Sequence, residues 1–187
     1  MVKKYLSDEK WSSMKIAKKK LVSNHFYEIA KQITRRHQCD ISEHGIRDGM
    51  NLEFDVDKKM IYARNISVSK FLNSEKSVYG GKPFGAISKT IKDHADADLL
   101  EEYEFDALFV TFCILHECGH IHDSGDQDLY SQQAIEKYNN KKAELKKLFG
   151  VDSLQFHAQY RLLPQEQNAD NFAISKLAEE LNHVTTG

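Results

Sequence analysis

The chain has no apolar run long enough to span a membrane: its longest, Ala107 to Leu115, is broken by Thr111, and a spanning helix needs roughly 18 such residues. Cysteine is scarce and unpaired. Cys39, Cys113 and Cys118 make an odd number with no Cys-x-x-Cys, which excludes a disulfide framework and a thiolate zinc knuckle. They read as reduced thiols, with Cys118 a small buried hydrophobe. No internal repeat or low-complexity tract interrupts the sequence. The stretch Gly80-Gly-Lys-Pro-Phe-Gly85 lacks the Gly-x-x-x-x-Gly-Lys-Ser/Thr spacing of a phosphate loop. The first residues, Met-Val-Lys-Lys-Tyr-Leu, have basic side chains but no apolar segment behind them, so they do not read as a secretion signal and a cytoplasmic location is expected.

What is present fits one folded domain over 1–187: 187 residues, 41% hydrophobic and 29% charged, are enough to bury a core. The net charge of −2 hides an asymmetry, because residues 1–38 hold ten Lys and Arg against three acids. This segment is where a nucleic-acid contact would have to lie. Lys18, Lys19, Lys20, Arg35 and Arg36 are equally accounted for as the wet face of amphipathic helices, and no nucleic-acid partner is expected.

Between about Asp8 and His37 apolar residues recur at helical spacing (Trp11, Met14, Ala17, Leu21, then Phe26, Ile29, Ala30, Ile33), which predicts one long helix or two broken near Ser23-Asn24. The segments 51–57 and 60–64 are rich in strand formers and flank a polar turn, predicting a β-hairpin. Residues 80–85 read as a loop. From about Asp106 to Asp123 the chain is apolar on every side and then meets His-Glu-Cys-Gly-His, so a buried helix is expected. A Lys-rich helix over about 128–149, closed by Gly150, and a last helix from Pro164 to about Leu181 complete the reading.

His116-Glu117-Cys118-Gly119-His120 carries the chemistry. Histidines four residues apart on a helix share one face, so both imidazoles reach one cation. A catalytic zinc site uses three protein ligands and leaves a fourth position for water. Two residues qualify as the third ligand by position: Asp126, six residues after His120, and Glu166, in the first turn of the last helix. Glu166 shares a helical face with Asp170, Ala173 and Leu177. Asp170 is then placed to accept the spare N–H of a metal-bound histidine, and Ala169 and Ala173 allow close approach of the His-bearing helix. Gly119 inside a helix costs about 1 kcal/mol relative to alanine, which points to a close neighbour there. His157, Tyr160 and Arg161, just before the last helix, are candidates for stabilising a developing oxyanion.

His116-Glu-Cys-Gly-His120 followed by Glu166-x-x-Ala-Asp170-x-x-Ala173 resembles the ImmA/IrrE-like metallopeptidases, gluzincin-type proteins of bacteria and their mobile elements. The resemblance covers about thirty residues, and the Lys-rich interval between the two blocks is long for that family. It implies zinc on His116, His120 and Glu166, with Glu117 as the catalytic residue. It also implies an α+β, zincin-like fold, the buried active-site helix packed with other helices against a small antiparallel sheet. The substrate implied is a specific regulatory protein, often a repressor. Two other readings stand beside it: a catalytically inactive metal-binding interaction module, and a DNA-binding regulator working through the basic N-terminal segment. Retention of Glu117 favours the enzyme, since a purely structural site needs no base.

Overall fold

The computed structural model describes residues 17–47 and 49–186; Trp11 and Met14, part of the expected N-terminal helix, lie outside them. The architecture is α+β, with helices predominating around a small sheet. Its centre is α5, Phe105–Asp123, in which Ala107 through Phe112, Ile114, Leu115 and Cys118 are all buried. A helix this apolar has no wet face and must be surrounded. Around it lie α1 (Phe26–Arg36), α2 (Val68–Ser77), α3 (Lys82–His94), the sheet, and above all α9, which spans Pro164–Val184 and starts, as its proline signals, at Pro164; the short α4 (Ala97–Glu102) leads into α5. No helix among the described residues is long and apolar enough to cross a membrane.

The N-terminal expectation is corrected here. Among the described residues helix begins at Phe26, just past Ser23-Asn24, with His25 as its N-cap. Residues 17–22 form no helix. β1 (Lys20–Leu21) pairs antiparallel with β5 (Thr185–Thr186) at the other end of the chain. The N–H of Val22 donates to the Val184 carbonyl at 2.9 Å, and Lys19 exchanges backbone hydrogen bonds with Glu102 and Glu104. These partners satisfy the backbone of residues 19–22 as well as a helix would, which is why the segment pairs across the chain instead.

The hairpin forms as expected, from β3 (Leu52–Asp55) and β4 (Met60–Ala63). Asp55 closes the turn by accepting from the backbone N–H groups of Asp57 and Lys58, both at 3.1 Å. A third strand, β2 (Asp40–Ser42), runs parallel to β4, giving the order β2-β4-β3. The sheet is therefore mixed, not antiparallel as the sequence suggested. Three residues are too few to show a period, and the hairpin already occupies one side of β4, leaving its other side to β2. Among the described residues β3 has a strand neighbour on one side only.

Of the loop expected over 80–85, only Gly80 and Gly81 are turn residues, with φ of 61° and 77°. Lys82 already belongs to α3, with Pro83 in its first turn. The Lys-rich region holds α6 (Gln127–Tyr130) and α7 (Gln132–Phe149), the latter ending at Gly150 as expected. Only Leu145 of α7 is buried, and it joins Phe156 and Leu163 in a small separate cluster. Phe156 comes from α8, Leu154–Tyr160, a helix not foreseen.

Gly119 shows why α5 and α9 pack so tightly. A Cβ there would lie 2.8 Å from Ala169 Cα and 3.1 Å from the Ala169 carbonyl oxygen, and backbone cannot yield as a flexible side chain can. Gly119→Ala in a free helix would gain up to about 1 kcal/mol. Here overpacking outweighs that gain, and a net loss of about 1–2 kcal/mol is expected in urea unfolding. Unchanged or increased stability would show that the two helices are not held at this separation.

Candidate metal centre

α5 presents His116 and His120 one turn apart on the face that meets the first turn of α9, where Glu166 sits. All three side chains are buried, and their ligand atoms lie within 4.8 Å of one another. His116 Nε2 is 3.2 Å from His120 Nε2 and 3.3 Å from Glu166 Oε2; His120 Nε2 is 3.9 Å from Glu166 Oε1. Zinc bound at about 2.0–2.1 Å in a tetrahedron sets its ligand atoms roughly 3.3 Å apart. His116 Nε2 keeps close to that spacing with each of the other two residues, while His120 and Glu166 stand somewhat wider apart.

The outer nitrogens are fixed as metal-bound imidazoles require. His116 Nδ1 lies 2.9 Å from Asp170 Oδ1; a carboxylate accepts only, so Nδ1 carries a hydrogen there and Nε2 is the nitrogen turned to the site. His120 Nδ1 is 2.8 Å from the Tyr130 hydroxyl. Burial, and then the neighbouring charge of His116, lower the His120 pKa to about 3, keeping that ring neutral. Burial alone would raise the Glu166 carboxyl, but hydrogen bonds from His116 and Tyr160 help hold it well below the usual carboxylate range. Two imidazoles and one carboxylate thus converge in a buried place with no Lys or Arg side chain between them among the described residues. The donor set suits a divalent metal ion.

Glu117 lies beside the trio, on the wall of a cavity of about 460 Å³ that also includes His116 and Glu166. That volume is in the range of small-ligand sites. Burial is the main cause that raises the Glu117 carboxyl to about 7; His116 and Arg161 oppose it, and the charge of Glu166 adds to it. Away from the ligands the wall is mostly apolar, formed by residues such as Phe71, Val78, Ala86, Ile87, Phe112 and Phe156.

Asp126, the other candidate ligand, is exposed and caps α6 by accepting from Asp128 N–H at 2.8 Å; it is not among the three converging residues. Asp170 lies where the helical spacing put it, and also accepts from Arg161 through Nε at 3.0 Å and through Nη2. The guanidinium of Arg161 is thereby engaged, over the Phe112 ring. His157 Nε2 donates to the Val151 carbonyl at 2.8 Å. Tyr160 alone of the three oxyanion candidates touches a converging residue, its hydroxyl lying 2.6 Å from Glu166 Oε1. Cys118 is buried in the core, as expected.

Sequence reasoning missed Tyr130, Tyr138 and Phe54. Tyr138, on α7, donates to Glu166 Oε1 at 2.7 Å, and Phe54 of β3 stacks on His120 with centroids 5.7 Å apart. The available signal was faint: Ile135, Tyr138 and Leu145 form the short apolar stripe of an otherwise Lys-rich helix. Nothing local marks Tyr130 or Phe54. Compared with protein-family models, curated proteins and solved structures, the chain matches none.

Proposed function

We propose that this protein is a zinc-dependent metallopeptidase, as its resemblance to the ImmA/IrrE-like enzymes implies, cleaving a protein or peptide next to a large apolar side chain. The observation that carries the reading is the convergence of His116, His120 and Glu166 with Glu117 beside them on a cavity wall. His116, His120 and Glu166 would hold the metal. Bound there, zinc supplies Lewis acidity, lowering the pKa of water and polarising a carbonyl.

The rest of the chemistry belongs to the chain. Glu117 takes the proton of the attacking water on its carboxylate and returns it to the leaving nitrogen; a carboxyl raised toward neutrality by burial suits both transfers. Asp170 and Tyr130 fix the two imidazole planes. Asn51 and Leu52, at the start of β3, line the cavity, and the edge of β3, which pairs with no other strand among the described residues, offers backbone groups to an extended peptide. A side chain of that peptide enters the apolar part of the cavity, which favours a large hydrophobic residue beside the scissile bond.

The test is to incubate zinc-loaded protein with a diverse peptide mixture and sequence the products. Chelator-sensitive cleavage clustered beside large apolar residues is expected, and Ala86→Phe, which fills the apolar end, should shift that preference toward smaller side chains. Cleavage that ignores the neighbouring residue would remove the cavity from the account, whereas no cleavage with zinc bound would favour a metal-binding interaction module.

A further inference from the structure

Glu166 has two carboxylate oxygens in different surroundings. Oε2 is 3.3 Å from His116 Nε2 and makes no hydrogen bond to a tyrosine among the described residues, whereas the nearest ring nitrogen to Oε1 is His120 Nε2 at 3.9 Å. Oε1 accepts from two tyrosines, Tyr138 at 2.7 Å and Tyr160 at 2.6 Å. A carboxylate oxygen only accepts, so the hydrogens in these contacts come from the phenols. The two hydroxyl oxygens are also 2.7 Å from each other. Three short contacts share two hydrogens. Either both tyrosines donate to Oε1, or one donates to the other and that one donates to Oε1. In each arrangement Oε1 keeps a donor.

We propose that Tyr138 and Tyr160 form a clamp that confines Glu166 to binding metal through one oxygen. This rests on the metal-site reading above. A carboxylate that grips with both oxygens takes up an extra coordination position, the one that water or a substrate carbonyl needs in a catalytic site. Holding Oε1 from two sides keeps that position open. The clamp also gives α7 a purpose, for this helix is otherwise an exposed, Lys-rich rod with one buried residue. Lys142, one turn after Tyr138, lies over both rings, 5.7 Å from the centroid of Tyr138 and 4.8 Å from that of Tyr160, holding the pair together from the solvent side. Tyr138 and Tyr160 are positioning residues in this scheme.

The experiment compares wild type, Tyr138→Phe, Tyr160→Phe and the double variant, each loaded with cobalt(II) as a spectroscopic probe, with zinc affinity measured separately by chelator competition. Four-coordinate cobalt absorbs visible light more strongly than cobalt of higher coordination number. Each single variant retains one donor, so its bands should match wild type and its zinc affinity should fall by about 3-fold, the worth of one hydrogen bond. The double variant should lose band intensity as Glu166 engages through both oxygens. Its zinc affinity should fall by about 10–100-fold, as when the partners of a ligand are removed. A double variant with wild-type bands and affinity would overturn the clamp. Should the double variant not fold, unchanged zinc affinity in both single variants overturns it equally. Wild-type protein that takes up no cobalt or zinc would instead strike down the metal site itself, and the clamp with it.

Discussion

Glu117→Gln is expected to lower peptide hydrolysis by about 10²–10⁴-fold, the usual contribution of a positioned general base, while zinc content stays near that of the wild type. The same substitution should make the metal-free protein more stable at alkaline pH. The folded-state pKa of Glu117 is about 7 against an ordinary 4.5, so the fold favours the protonated carboxyl. The associated stability is fully present below pH 4.5 and is lost as pH rises through 7. A difference of that size corresponds to about 3 kcal/mol by linkage. Glutamine mimics the neutral acid at every pH. Urea unfolding of metal-free protein should therefore show the variant about 2–3 kcal/mol more stable than wild type at pH 8, with the two converging near pH 4. Equal stability at pH 8 would mean that the carboxylate is well solvated and not held as a neutral acid. Catalytic groups often oppose stability in this way, because the setting that tunes them is one that disfavours their charge.

Glu166→Ala should weaken zinc binding by more than about 100-fold, since removing a ligand costs more than removing one of a ligand's supporting hydrogen bonds, itself worth about 10–100-fold. Asp126→Ala should leave zinc binding unchanged, because Asp126 is exposed and occupied in capping α6. The measurement is metal content on protein purified without chelator or nickel resin, followed by chelator competition on each variant. The reverse pattern, loss with Asp126→Ala and none with Glu166→Ala, would transfer the third position to Asp126 and dismantle the geometry described above. Wild-type protein that binds no zinc even when it is supplied would remove the ground for an enzyme.

Local features of the fold were readable because they repeat at short range. The 3.6-residue period and the uniformly apolar run gave α5, alternation gave the β3–β4 hairpin, and Pro164 and Gly150 gave helix ends. The spacing of His116 and His120 was readable for the same reason, since four residues are one helical turn. β1 and β2 were not, because strands of two and three residues hold no period and form only where a partner strand is in place.

The sequence by itself determined that two imidazoles share a helical face, that an acid stands between them, and that Gly119 invites a close neighbour. Only the tertiary structure brought Glu166, and not Asp126, beside the two histidines. It also brought Asp170 to His116 across 54 residues and Tyr138 to Glu166 across 28. Pairs of residues on one helix are set by backbone geometry that any helix shares. Pairs on different helices are set by how those helices pack, here by the contact of Gly119 with Ala169, and that depends on the whole core at once.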